Sequence, residues 1–227
     1  RVLFRSYDDL GQGFSGDLFG RLKVSNPYTL FDDTHRYAND GQFSDVVIGT
    51  GSTIGIVTAQ STAILGIGTT AGCSIIRESK RVFSYQPGKS LLIMNSFVFN
   101  AQLSGLRQRV GYFGTDNGIY LENDGTTNYF VLRSNTTGTI VETRVAQSDW
   151  NVDTVDGSNA GGWTETPGNQ VNRNPSGLTL DLSKAQILFH DIEWLGVGDV
   201  RCGFVLNGQR IVAHTFKHAN LDRKSTR

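Results

Sequence analysis

The sequence predicts an all-β protein, an antiparallel β-sandwich preceded by an extended arm, on three observations. Short apolar runs recur along the chain between clusters of Gly, Asn, Asp, Ser and Thr, which are turn residues. Helical periodicity is nearly absent. Asn207-Gly208 lies between two β-prone runs, where it supplies the left-handed backbone that a two-residue hairpin turn requires. Of the 227 residues 27 are Gly and only 4 are Pro, so glycine rather than proline makes the turns. A chain of this length buries a sizeable core without disulfides or a structural metal.

Residues 1–42 have no clear period and mix aromatics with charges. They read as an arm that docks on something, with Phe14, Phe19, Tyr28, Phe31 and Tyr37 as its expected assembly contacts. Residues 43–227 are expected to form the sandwich domain. The runs SDVVIG, STIGIVTAQ, AILGIG and CSIIRES come first, rich in Gly and Thr, and suit a partly exposed pleated sheet. This glycine-rich stretch lacks the Gly-Lys-Ser/Thr ending of a phosphate-binding loop. After the turn at Gln86–Lys89, SLLIMNSFVFN reads as a central strand buried on both faces. RQRVGYFG, GIYLEN, NYFVLRS and TIVETRV follow at the spacing of successive antiparallel strands. In the last of them Val141, Thr143 and Val145 share one face, and Ile140, Glu142 and Arg144 the other.

Residues 146–178 form a long polar stretch holding Trp150 and Trp163, too long for a hairpin turn. LTLDL and AQILFHDIEWLGV then lead to the Asn207-Gly208 hairpin. Its register predicts pairs Leu206–Gln209, Phe204–Ile211, Cys202–Ala213 and Val200–Thr215 on the core face. The other face would carry Val205–Arg210, Gly203–Val212, Arg201–His214 and Asp199–Phe216, a mixed surface suited to binding or assembly.

Composition narrows the function. Lys and Arg number 21, as do Asp and Glu, and such a balance argues against nucleic-acid binding, which takes a basic stripe. No apolar run approaches a membrane span, and no signal peptide is visible. The first residue is Arg1, as in a processed or partial chain. Cys73 and Cys202 make no disulfide framework; they read as small buried hydrophobes, with a bridge left open.

Candidate chemistry is sparse. Asp191 and Glu193 alternate on a strand and point to one face, and retaining glycosidases set two carboxyl groups about 5 Å apart. The glycosidases that place acids along one strand in this way carry a further Glu where Leu195 stands here. The pair therefore reads as solvated or bridged to an arginine such as Arg201, and no enzyme activity is expected. Asp149, Asp153 and Asp156 cluster in the long loop as oxygen ligands for calcium would, without the EF-hand spacing; Asx-turn chemistry accounts for them as well, so no cofactor is assigned. His35, His190, His214 and His218 show no zinc spacing, and no nucleophile motif is present. Trp194 is expected in or against the core. Trp163, in GGWTETPG, is the candidate for an exposed glycan contact.

Six stretches together carry a resemblance: FGRLKVSNPYTLFDD, RVFSYQPGKSLLIMN, RQRVGYFGTDNGIYLEND, VAQSDWNVDTVDG, LTLDLSKAQILF and DIEWLGVGDVRCGFVLNGQ. The set is similar to virion structural proteins of tailed phages, notably those of marine cyanobacteria and other aquatic bacteria, from about Phe19 to His218. The resemblance implies a jelly-roll sandwich of the concanavalin or lectin-like kind. It implies a virion protein of capsid, tail or fibre, assembled in a host cytoplasm as a homo-oligomer with other virion proteins. It transfers no catalytic residue. Related chains continue past Phe216–Asn220, and their counterpart of the loop around Trp163 is shorter. The alternative expectation is a carbohydrate-binding adhesin of the particle that reads a host surface glycan; a glycan hydrolase is the remote one.

Overall fold

The computed structural model describes residues 28–36, 38–83, 90–158, 173–193 and 198–218. Twelve strands are present among them, with one turn of 3-10 helix and no α-helix. All strand pairings are antiparallel. The chain divides into two compact units, Arg1–Gln86 and Pro87–Arg227. The division between them falls between Gln86 and Pro87. Of the expected arm, residues 1–27 and Tyr37 lie outside the described residues.

The first unit holds β1 (Phe43–Ile48), β2 (Thr53–Val57), β3 (Thr62–Gly66) and β4 (Ser74–Ser79). They form two separate two-stranded sheets, β1 with β4 and β2 with β3. Val46 faces Ile76 and Asp45 faces Arg77 across the first pair, and the Arg77 Nη1 donates to Asp45 at 2.6 Å. No residue described in this unit is fully buried.

The second unit is a β-sandwich. One sheet has the order β12-β11-β10-β5 and the other β6-β7-β8-β9. Their spans are β5 (Ser90–Phe97), β6 (Gln108–Phe113), β7 (Gly118–Asn123), β8 (Asn128–Ser134), β9 (Val141–Ala146), β10 (Gln186–Glu193), β11 (Val200–Leu206) and β12 (Gln209–Phe216). The β6–β9 sheet is a meander; in the other, β10–β12 follow in sequence and β5 lies beside β10, so among the described strands the chain crosses between sheets after β5 and after β9. The antiparallel sandwich agrees with the fold class the sequence predicts.

The core lies between the two sheets, where alternate residues of each strand meet. Ile119, Leu121 and Phe130 come from one sheet; Leu188, Val200, Cys202, Phe204, Ala213 and Phe216 come from the other. Trp150, from the connection after β9, completes it. Its ring lies 4.5 Å from Phe130 and 6.1 Å from Phe204, and its indole N–H donates to the Val145 carbonyl at 3.2 Å. Aromatic side chains of this size contribute most of the apolar area per residue.

Two expectations are corrected here. The run SLLIMNSF forms β5, which among the described residues pairs with β10 alone and stands at the end of its sheet order. Its burial alternates, with Leu92 and Met94 exposed, because a sandwich sheet packs only its inner face on the core. The second concerns the hairpin. Its pairs agree with expectation from Leu206–Gln209 to Gly203–Val212, and then the register shifts. Cys202 faces His214, Arg201 faces Thr215 and Val200 faces Phe216. Ala213 is the extra residue of a β-bulge, and one inserted residue exchanges the faces of everything beyond it. Phe216 therefore joins the core and Thr215 does not. Gly203 is needed at the shift, since a Cβ there would lie 2.0 Å from the Ile211 carbonyl oxygen. The turn itself is as expected, with φ of 50° at Asn207 and 76° at Gly208.

Candidate interaction surfaces

The long connection after β9 is a structured wall. Among its described residues, Gln147–Asp149 make a 3-10 turn, and the segment after it is tied to the edge of β12. The bulge frees the Ala213 carbonyl, which accepts from the N–H groups of Val152 at 3.1 Å and Asp153 at 3.0 Å. Asn151 imitates a neighbouring strand with its side chain. Its Nδ2 donates to the Thr215 carbonyl and its Oδ1 accepts the Thr215 N–H, both at 2.9 Å. The outward backbone groups of Ala213 and Thr215 on this edge strand are thereby occupied.

Hydrogen bonds and an ion pair within the wall use the three loop aspartates expected as calcium ligands or Asx-turn residues. Buried Asp153 accepts the Val155 N–H on Oδ1 at 2.9 Å and the Ser176 N–H on Oδ2 at 3.0 Å. Asp156 accepts from Ser158 at 2.8 Å, and Asp149 lies 3.7 Å from Arg173. Among the described residues no three His, Cys, Asp or Glu side chains are grouped to hold a metal ion. Val155 is fully buried at φ 47°, a conformation that costs a β-branched residue about 1–3 kcal/mol.

The acid pair on β10 is divided by burial. Glu193 is buried and Asp191 is half-buried, and the register sets Arg201 directly opposite Asp191. Leu195, Trp163 and Trp194 lie outside the described residues. His190 faces Cys202, and Cys202 faces His214, so the three form one row across β10, β11 and β12. Sequence spacing hid this row, because its members come from three strands and one of them is placed by the bulge. His190 is completely buried, edge-on to Phe130 at 6.1 Å, and burial alone lowers its pKa to about 3. Neither ring nitrogen has a hydrogen-bond partner among the described residues. Burial likewise lowers His214 to about 4; its Nδ1 accepts the Asn151 N–H at 3.3 Å. Cys202 and Cys73 are both free, and burial pushes the Cys202 thiol well up.

The outer face of β6–β9 carries a charged ladder that the sequence reading missed. Fully buried Glu122 is held by Arg109 and Arg144, each at 2.6 Å. Tyr120 lies between the guanidinium groups of Arg109 and Arg133, at 5.4 and 5.3 Å from its ring centre. Its hydroxyl donates to Glu142 at 2.9 Å, and Arg133 donates to the same oxygen at 2.7 Å. Burial pushes the Glu142 carboxyl up, but the Arg133 and Tyr120 hydrogen bonds outweigh it and hold it below its usual value. Alternation of Arg109, Tyr120, Glu122, Arg133, Glu142 and Arg144 on outward positions was the available signal. Three positive and three negative charges, with Asp124, leave this face without net sign.

Of the expected arm contacts, Tyr28 is exposed, while Phe31 packs edge-on against Phe43 at 5.8 Å and Phe83 at 5.6 Å within the first unit. Exposed aliphatics lie elsewhere in that unit. Val46, Val47, Ile48, Ile64, Leu65, Ile67 and Ile76 are each 41–52% exposed. On the second unit, Leu92, Met94 and Ile187 are exposed on β5 and β10. Among the described residues no helix is long and apolar enough to cross a membrane. No family model matches the chain, nor does any curated protein or solved structure.

Proposed function

We propose that the chain is a structural subunit of a tailed-phage particle and works by burying its surface against other virion proteins. The observation that carries the assembly part is the set of exposed aliphatic side chains on β1, β3 and β4. Apolar strand surface of this extent marks a protein contact. The second unit supports the same reading. Two of its buried acids serve its own packing: Asp153 in loop hydrogen bonds and Glu122 between two arginines. The particle itself enters through the sequence resemblance over Phe19–His218. The reading makes this a non-catalytic protein, with the sandwich as a rigid block and residues 1–42 as a tie to neighbours.

The experiment is immunolabelling of purified particles, paired with a chain lacking residues 1–40. The full chain is expected in intact particles. The shortened chain is expected to keep the cooperative unfolding of the sandwich and to be missing from particles. Particles without the full chain would sink the particle reading. Incorporation of the shortened chain would sink the role of the arm.

A further inference from the structure

Among the described residues, five hydrogen bonds join residues 151–153 of the wall to residues 213–215 of β12. The Val152 and Asp153 N–H groups donate to the Ala213 carbonyl. The Asn151 side chain holds both backbone groups of Thr215. The fifth bond runs from the Asn151 N–H to Nδ1 of His214 at 3.3 Å. Amide groups keep their donor and acceptor roles across ordinary pH. An imidazole does not, because its charge changes in the range where proteins work.

The bond fixes the state of the ring. An Nδ1 that accepts has no proton, so the neutral ring carries its proton on Nε2. Protonation at Nδ1 turns the acceptor into a donor that faces the Asn151 N–H. The bond is then lost, and two N–H groups meet around a side chain that is only 6% exposed. The carboxylates of the wall are engaged elsewhere. Both oxygens of Asp153 accept backbone N–H groups, from Val155 and Ser176. Asp156 accepts from Ser158, and Asp149 lies against Arg173. On the strands, Cys202 stands opposite His214, His190 opposite Cys202, and Arg201 opposite Thr215. Lys217 and His218 follow β12, and His218 Nδ1 lies 3.1 Å from the Gly198 carbonyl. Among the described residues none of these groups shares a hydrogen bond or ion pair with the His214 ring, which stands edge-on to Phe216 at 4.5 Å.

We propose that His214 is an acid latch: a proton taken from solvent onto Nδ1 releases residues 151–153 from the β12 edge while the two sheets stay closed. Release leaves the outward backbone groups of Ala213 and Thr215 unpaired, so the latch decides whether this edge is covered. The sheets do not have to part. Asn151 and Val152 are exposed, whereas Trp150 before them is anchored in the core, and a local opening costs less than global unfolding. Linkage sets the direction. Burial lowers the latched ring to about 4, and a ring released into water titrates near 6.5. The released state therefore binds the proton. Its population rises as pH falls below about 6.5, by up to about tenfold per pH unit, until the latched value is reached.

The test is amide hydrogen exchange of the full chain from about pH 7 to about pH 5, corrected for the intrinsic rate at each pH. The amides of Asn151, Val152, Asp153 and Thr215 are expected to exchange faster than those of Tyr120 and Leu121 in β7. Their protection is expected to fall about tenfold between pH 6 and 5. His214→Gln offers an oxygen to the Asn151 N–H and takes up no proton, so its wall amides are expected to keep one protection across this range. Ring-nitrogen NMR shifts of the wild-type chain check the tautomer without any substitution, and are expected to place the neutral proton on Nε2. The same fall in His214→Gln, wall amides that open only together with Tyr120 and Leu121, or a neutral ring with its proton on Nδ1 would each overturn the proposal.

Discussion

Phe43–Ser79 and Ser90–Phe216 are both built of antiparallel strands, yet one stretch has no fully buried side chain and the other encloses an aromatic core. Strand propensity does not separate them, since Val, Ile and Thr fill both. Volume does. Between Phe43 and Phe83 there is no aromatic residue, whereas the sandwich sets Phe130, Trp150 and Phe204 within about 6 Å of one another. Sheet width matters equally, because two strands offer too little face to cover a large side chain and four do. β-propensity makes the strand; bulky side chains on facing sheets make the domain.

The strongest way to break this comparison is to remove volume from the core. Phe130→Ala is expected to cost the second unit about 3–5 kcal/mol, read from the midpoint of urea unfolding by Trp150 fluorescence. A cost under about 1 kcal/mol, the range of an ordinary substitution, would mean that the aromatic cluster is not what holds the sheets together.

The pH dependence of stability sharpens it next. His190 and His214 stay neutral in the folded sandwich because burial lowers them to about 3 and about 4. In the unfolded chain a histidine takes up a proton near pH 6.5. The unfolded state thus binds more protons, and stability present above pH 6.5 is lost as pH falls toward the folded values. Glu142, Asp124 and Asp156, held below their usual values, act in the same direction but only below about pH 4. His190→Leu is expected to reduce the slope between pH 6 and 5 by about 1.4 kcal/mol per pH unit. An unchanged slope would show that the protonated ring finds a partner in the fold. The described residues of the first unit hold no histidine with this burial, so the histidine part of the dependence belongs to the sandwich.

The smallest effect concerns the wall against β12. Asn151→Ala removes two backbone hydrogen bonds to Thr215 and is expected to cost about 1–2 kcal/mol. Hydrogen exchange at Thr215 should accelerate while exchange in β7 stays the same. Acceleration throughout both sheets would mean that Asn151 supports the core instead of one edge.

Much of the architecture was legible in sequence. The runs GIYLEN and NYFVLRS coincide with β7 and β8 residue for residue, because Asn-Gly and Asp-Gly mark both of their turns. The β9 faces follow from alternation, with Val145 packed on the core and Arg144 outward in the ladder. The bulge was not legible. Ala213 has no local signature, and its reason lies in residues 151–153, distant in sequence, which bind the carbonyl it exposes. The edge position of β5 was hidden for a related reason: its partner β10 is encoded about ninety residues later, and an apolar run does not state how many neighbours it has. Glu122 was missed because a single strand shows an acid, and only three strands show the arginines on either side of it. The inner row of His190, Cys202 and His214 required the same cross-strand knowledge.

The clamp of Asn151 on β12 has a consequence for how copies can be joined. Growth of a fibre by strand addition through a sheet needs two live edges on that sheet, one to receive and one to offer. Here the β12 side is capped by the chain's own loop. A sheet with one capped side can take part in at most one such union, so propagation through it would stop at a pair. The β12-β11-β10-β5 sheet is built as a terminus for strand addition, and a longer array has to be joined through the other sheet or other surfaces.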